Sequence, residues 1–246
     1  MPKIILSDSL KHSGAESFDW VPAAFRKDAP LTWHQRRRHA AVRRLLTGLP
    51  GRVLDFGCGY GDIAYALSKT HEVVGVDIDP VRVAFAASEY APIPFSVCGE
   101  KLDFPDGSYD IVLSVVVIHF VTDPLAYLRE CYRVLRPGGY LALLCVQHSI
   151  RWHTFRLLRK PTPPNVPWVD PQGHSRPLWI PTREEMIALT SREGFRLIQK
   201  THFYDPPTEL GINWKEWPFI IAEQIASLFG IAATANYYGL LLRKEG

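Results

Sequence analysis

The sequence predicts an α/β fold, a doubly wound sheet with helices on both faces, and three observations carry that expectation. The first is Val53-Leu54-Asp55-Phe56-Gly57-Cys58-Gly59-Tyr60-Gly61-Asp62, where an apolar β-favouring run enters a glycine-dense turn and a helical segment follows from Asp62 to Leu67. The second is a short strand, Glu72 to Asp77, that ends in a carboxylate one sheet step later. The third is the strand–helix alternation that continues through the rest of the chain.

Taken in order, Leu31 to Leu46 reads as a helix. Thr32 is its cap and Ala41, Leu45 and Leu46 form part of an apolar stripe, while Arg36, Arg37, Arg38, Arg43 and Arg44 occupy much of the remainder. Those arginines suit a solvated face, or the steering of an anionic substrate or membrane surface. The first strand is Arg52 to Phe56 and the second Glu72 to Asp77. Asp79-Pro80 opens a helix to Ser88, with proline placed where its missing amide costs nothing. A short third strand, Pro94 to Cys98, precedes a fourth from Tyr109 to Ile118. That fourth run is nearly all apolar, as the centre of a parallel sheet covered on both faces requires. Asp123-Pro124 begins a helix that stops at Arg136-Pro137-Gly138-Gly139, and the fifth strand follows at Tyr140 to Val146. Thr182 and Glu185 form a capping box for a helix to Arg192. Strands six and seven are Phe195 to Phe203 and Asn236 to Arg243.

Composition narrows the function classes. With 246 residues, 47% of them hydrophobic, the chain is read as a single domain, 1–246, able to bury a full core. A formal charge of +3 without a lysine-rich tail gives no reason to expect nucleic acid. Cys58, Cys98, Cys131 and Cys145 contain no C-x-x-C pair, and His148 and His153 are too few and too loosely spaced for a metal site. Buried thiols and a short apolar N-terminal run point to the cytoplasm.

Glycine spacing discriminates between cofactors. A dinucleotide fingerprint, G-x-G-x-x-G, counted from Gly57 places Asp62 at the third glycine, so NAD is the weaker reading. Asp77 stands where a strand-tip acid accepts ribose hydroxyls, and Asp55 would be costly to bury without partners such as loop amides or a cofactor amino group.

The pattern Asp55-Phe56-Gly57-Cys58-Gly59-Tyr60-Gly61 resembles the first motif of the class I S-adenosylmethionine-dependent methyltransferases. Val76-Asp77-Ile78-Asp79-Pro80, the stretch from Glu100 to Asp110, Ile118 to Asp123, and Leu135 to Leu141 are similar to later segments of that family, so the likeness covers about residues 50 to 146. It implies a Rossmann-like seven-stranded sheet, mostly parallel with strand seven antiparallel, and S-adenosyl-L-methionine as cofactor. On this resemblance Gly57, Cys58, Gly59 and Gly61 wrap the amino-acid end of the cofactor, Asp77 and Ile78 meet its nucleoside, and Asp55 supports the loop. Where the family often has an acid before the residue backing the adenine, this chain has Cys98-Gly99, so Gly99 and Glu100 are expected to act through backbone groups. The nearest grouping methylates small molecules, including quinone-like and lipid-like acceptors.

In that family residues 1–50 form a cover segment, in which His12, Phe18, Trp20, Phe25 and Trp33 either line the acceptor pocket or pack on the sheet. Methyl transfer needs alignment and, for some acceptors, proton removal. His119, at the edge of strand four, is the first candidate base, and His148, past strand five, the second. The insertion 147–181 has five prolines between Pro161 and Pro171 and no expected regular second half, and it suits a lid. A second insertion, 205–234, contains an amphipathic run, Trp217 to Phe229, readable as core, pocket wall or partner face. The expected acceptor is apolar or aromatic, with an anionic group as an option near Arg151 or Arg156. No transmembrane segment is expected, and peripheral membrane contact, an NAD-dependent oxidoreductase and a non-catalytic cofactor-binding scaffold stay open as alternatives.

Overall fold

The computed structural model describes residues 23–99, 101–147, 168–169, 175–176, 179–203, 221, 225 and 237–246. Glu100, His148, residues 1–22 and most of both insertions lie outside the described residues. Helices are α1 Trp33–Leu46, α2 Asp62–Leu67, α3 Pro80–Glu89, α4 Pro124–Val134 and α5 Arg183–Arg192. Strands are β1 Arg52–Phe56, β2 Glu72–Asp77, β3 Phe95–Val97, β4 Tyr109–Val115, β5 Leu135–Val146, β6 Trp168–Val169, β7 Ser175–Arg176, β8 Phe195–Phe203 and β9 Tyr237–Lys244.

Seven strands form one sheet in the order β3-β2-β1-β4-β5-β9-β8. Neighbours from β3 to β5 are parallel, and β9 runs antiparallel to both β5 and β8. The expected doubly wound sheet with an antiparallel last strand is therefore present. Alternate residues of the central strands feed two cores. Leu54, Val76, Val112, Leu143 and Leu240 lie with Leu128 and Cys131 of α4 and Met186 of α5, whereas Val53, Val73, Ile111, Leu113 and Leu241 lie with Val42 and Leu45 of α1 and Ala64 of α2. Complete burial of one such leucine stabilises the fold by about 1.5 to 3 kcal/mol, which fixes strand register because a one-residue slip would exchange the two faces.

Helix starts follow the local chemistry. Thr32 and Gln35 form a capping box on α1, and Thr182 and Glu185 form one on α5. Asp79 and Asp123 each accept two backbone amides ahead of a proline at the first helical position.

Most element boundaries lie within two residues of expectation, and three departures are larger. β4 stops at Val115 instead of Ile118 because Val116 has φ +59°, a left-handed conformation that a β-branched residue adopts only under tertiary constraint. β5 begins at Leu135 instead of Tyr140: Leu135 pairs with Tyr109 and Tyr140 with Ile111, so Arg136-Pro137-Gly138-Gly139 bulges within the strand instead of linking to it. The first insertion, expected to lack regular structure in its second half, contains the antiparallel pair β6 and β7. Of Trp217 to Phe229, only Ile221 and Ile225 are described; both are helical and about half exposed.

Candidate cofactor and acceptor site

The site is built on the turn that leaves β1. Gly57 and Cys58 both donate to the Val76 carbonyl, at 2.7 and 2.9 Å, and Gly61 donates to the Cys58 carbonyl at 2.9 Å. Gly57, Gly59 and Gly61 have φ of +87°, +54° and +84°, a region that L side chains avoid. Their surroundings separate them. A Cβ at Gly57 would lie 2.3 Å from Val117, and one at Gly61 2.8 Å from Ala86, but one at Gly59 would meet nothing within 4 Å. Gly57 and Gly61 let protein pack against protein, whereas Gly59 faces open space in which a ligand can approach the backbone. The strained Val116 serves the same turn: its amide donates to Leu144 at 2.7 Å, and Val117 is thereby set beneath Gly57.

Two carboxylates flank the turn. Asp77 is 6% exposed; its Oδ2 accepts from the Gly59 amide at 2.8 Å and its Oδ1 from the Asp79 amide at 2.9 Å. A carboxylate has about four lone-pair sites, so these bonds orient Asp77 while leaving capacity for two hydroxyls. Asp55 is 2% exposed and its Oδ2 has no hydrogen-bond partner. Burial, then the charges of Asp62 and Asp77, push its pKa up to about 8. A buried polar oxygen left in this state marks a place where a bound cationic group would be stabilised. Burial also pushes the Cys58 thiol well above its ordinary range and the Cys98 thiol to about 12, which makes both poor nucleophiles. Ile78, next to Asp77, is 49% exposed, and a Cβ at Gly99 would meet nothing within 4 Å. An exposed apolar side chain and an unobstructed glycine therefore stand near the strand-tip acid.

His119 departs from expectation. It is 3% exposed, its Nδ1 lies 2.8 Å from the Trp179 carbonyl, and its Nε2 lies 2.8 Å from the Val146 amide. The carbonyl can only accept and the amide can only donate, so the ring is the neutral tautomer with its proton on Nδ1. Burial lowers its pKa, partly offset by the Trp179 bond. Neither nitrogen has a lone pair left for a proton, so His119 ties the turn after β4 to β5 and to the segment before α5; the base role is withdrawn.

Other residues shape the site without a clear local signal. His39 on α1, 5% exposed, meets Asp62 behind the glycine turn at 2.8 Å. It sits three and seven residues before the buried Val42 and Leu46, so a polar residue in the apolar stripe was its signal. Phe25 stacks on Tyr60 of the glycine turn with ring centres 4.8 Å apart, and Tyr90 donates to the Phe25 carbonyl. Residues just after 22 thus pack onto the glycine turn. Tyr127 of α4 stacks on Phe56 and donates to Ser114 at 2.8 Å, supporting the same turn from the opposite face.

A cleft of about 520 Å³ lined by Asp106, Arg129, Tyr132, Arg133, Glu193 and Lys244 lies at the amino edge of β4 and β5, away from the glycine turn. Its charges already satisfy one another, Arg129 with Glu193 and Arg133 with Glu130 and Asp106. In open α/β sheets ligands bind at the carboxyl edge, so the glycine turn takes precedence over this cleft.

Comparison with known proteins gives the family. A family model described as a methyltransferase domain matches residues 54–143. A probable S-adenosylmethionine-dependent methyltransferase of Mycolicibacterium smegmatis is 37% identical over 107 residues, 42% of each chain. A ubiquinone biosynthesis O-methyltransferase of Cereibacter sphaeroides is 34% identical over 195 residues, which cover 75% of this chain and 73% of that protein. The chain belongs to the class I S-adenosylmethionine-dependent methyltransferases. The cofactor of this methyltransferase is S-adenosylmethionine. The chain spans 42% to 64% of the length of four of the curated relatives that it matches, the Mycolicibacterium smegmatis protein among them. Among solved structures, phosphoethanolamine N-methyltransferase 2 of Haemonchus contortus in complex with S-adenosyl-L-methionine superposes with a TM-score of 0.59 at 20% identity, covering 100% of the methyltransferase and 62% of that chain. A possible histamine N-methyltransferase of Thermotoga maritima gives 0.57 at 22% identity, covering 85% and 88%. No helix among the described residues is long and apolar enough to cross a membrane.

Proposed function

We propose that this methyltransferase moves the methyl group of S-adenosylmethionine to a small apolar or aromatic acceptor. The observation that carries the reading is the open face of Gly59 beside Asp77, whose carboxylate is held by backbone amides with lone pairs to spare. In this assignment Gly57, Cys58, Gly59 and Gly61 hold the amino-acid end of the cofactor through backbone groups, Asp77 accepts the ribose hydroxyls, and Ile78 and Gly99 border the adenine. Asp55 offsets the positive charge at the amino-acid end from below the turn. The cofactor supplies a methyl group already activated on a sulfonium, so the chain's own task is to align the acceptor and keep water away.

The acceptor class rests on two supports. Relatives matched by this chain include proteins named ubiquinone biosynthesis O-methyltransferase and demethylmenaquinone methyltransferase. The far half of the carboxyl edge also carries partly buried aromatic residues, Phe203 and Tyr237. The deciding experiment has two parts. Calorimetric titration should show binding of S-adenosylmethionine and S-adenosylhomocysteine and none of NAD. Labelled cofactor incubated with fractionated metabolites and lipids should then place label in an apolar or aromatic fraction. Label only in nucleic acid or protein would overturn the acceptor assignment, and binding without any transfer would favour a scaffold.

A further inference from the structure

The glycine turn is fixed to the sheet at its near end, and its far end needs a separate hold. Amides of Gly57 and Cys58 donate to the Val76 carbonyl and the Gly59 amide donates to Asp77, so residues 57–59 are tied to β2. Gly61 then opens α2 without a side-chain cap, and its amide returns to Cys58 within the turn itself. Glycine has more backbone freedom to lose than any other residue. A turn with three glycines in residues 57–61 therefore keeps one shape where contacts at both ends define it.

Two contacts define the far end. On one side Gly61 lies so close to Ala86 of α3 that a Cβ would come within 2.8 Å of it. On the other, Asp62 accepts from His39 of α1, with Nε2 and Oδ2 2.8 Å apart and the two side chains 5% and 14% exposed. A carboxylate accepts, so the proton of this bond sits on Nε2. α1 is itself well anchored. Val42, Leu45 and Leu46 are buried against the sheet, and Gln35 donates at 3.4 Å to the carbonyl of Ala24, next to the Phe25 that stacks on Tyr60. The bond also answers a charge. Asp62 and Asp77 both act on Asp55 across the turn; backbone amides satisfy Asp77, and His39 satisfies Asp62. Aspartate side chains readily bond to backbone amides near them in sequence. Deprived of His39, a nearly buried Asp62 would turn to the donors at hand, the amides of the turn that precedes it.

We propose that His39 is a positioning residue for the methyl donor: by holding Asp62 away from the turn's own amides, it leaves them to the amino-acid end of S-adenosylmethionine. His39 acts through Asp62 and needs no contact with the cofactor. The inference rests on the reading above that residues 57–61 hold that end of the cofactor, and it gives α1 a part in donor binding beyond its packing on the sheet.

The test uses S-adenosylhomocysteine and methylthioadenosine, which share the adenosine and its sulfur; the second carries a methyl group where the first carries the amino-acid chain. Calorimetric titration of each into the full chain isolates that end of the ligand. The wild type should favour S-adenosylhomocysteine. His39→Ala should cut the preference about tenfold, a part of what a hydrogen bond to a charged group contributes, while methylthioadenosine affinity stays within about threefold of wild type. His39→Gln, whose amide nitrogen has a reach similar to that of Nε2, should restore most of the preference. Asp62→Ala breaks the same bond from its other end, should cut the preference comparably, and serves where His39→Ala does not fold. In the double variant the two losses should not add, because one bond is broken in all three proteins. Equal weakening of both ligands, or an unchanged preference with a lower melting temperature, would reduce His39 to a structural contact and overturn the inference, and additive losses would overturn it too. A wild type that binds the two compounds equally would instead remove the amino-acid end from the turn, so that the underlying reading fails first and the inference with it.

Discussion

Replacing Asp55 with asparagine preserves the side chain's shape and removes its ionisation. The wild-type carboxyl is buried with one oxygen unpartnered, and its pKa stands at about 8 against 3.8 for the unperturbed group. The groups facing it are Asp62 of α2, itself paired with His39 of α1, Asp77 of β2 and the protonated Cys58 thiol. Between the two pKa values the folded chain holds one more proton than the unfolded chain, so stability falls as pH rises, by about 1.4 kcal/mol per pH unit. The contribution is fully present below the unfolded value and is lost as pH climbs through the folded one. From about pH 5 to about pH 8 the loss comes to roughly 3 to 4 kcal/mol, and Asp55→Asn lacks it. Urea unfolding of the cofactor-free wild type and of Asp55→Asn at several pH values across that window isolates the term, since other titrations cancel in the difference. The asparagine variant should gain on the wild type steadily as pH rises. A difference constant to within about 0.5 kcal/mol across the window would refute the argument, because Asp55 would then be ionised and satisfied in solution. S-adenosylmethionine, cationic at sulfur and ammonium, should favour ionised Asp55 and so release up to one proton near pH 7, seen as a calorimetric enthalpy that varies with the buffer's ionisation heat.

Further outcomes follow from the same geometry. Gly59→Ala should keep the fold at a cost of about 1 to 2 kcal/mol for its left-handed φ, since its Cβ meets no protein atom, yet abolish measurable cofactor binding; Gly57→Ala should lower the melting temperature further, because its Cβ also collides with Val117. Asp77→Ala should weaken S-adenosylmethionine by about 2 to 4 kcal/mol in direct titration, whereas His119→Ala should change that affinity little and lower stability by roughly 1 to 3 kcal/mol, having freed the Val146 amide and the Trp179 carbonyl. Since burial holds His119 neutral in the folded state, the stabilising advantage of wild type over His119→Ala is present above pH about 6.5 and should shrink as pH falls below it, as denaturation at two pH values would show. Val116→Gly should cost about 1 to 2 kcal/mol less than Val115→Gly, the difference being the left-handed strain at Val116, in paired unfolding measurements.

The sheet was legible because its strands are written as apolar runs bounded by glycine, proline and capping acids, all local signals. The end of β4 was not, since Val115-Val116-Val117-Ile118 is an unbroken apolar run and a β-branched residue argues against the conformation that Val116 takes. Only the bond to Leu144 and the fit of Val117 under Gly57 impose it. The glycine turn could be placed to the residue because each of its glycines answers a local backbone demand. His119 misled for the converse reason. Its position at the end of a central strand suits a crevice, but the partners that fill both its nitrogens lie 27 and 60 residues away and leave no mark near it. The bond from His39 to Asp62 spans 23 residues and was hidden in the same way, although the misplaced polarity on the apolar stripe of α1 was visible.

The Phe25–Tyr60 stack changes what counts as a separable part of this enzyme. Tyr60 belongs to the glycine turn and Phe25 to the segment before α1, and α1 repeats the connection through His39 and Asp62. Chimeras made to exchange acceptor preference between relatives should therefore take residues 23–46 and the glycine turn from the same parent. A junction between them would leave an aromatic face of Tyr60 bare and Asp62 without its histidine, and the recombined protein would lose the packing of its glycine turn before its new acceptor preference could be judged.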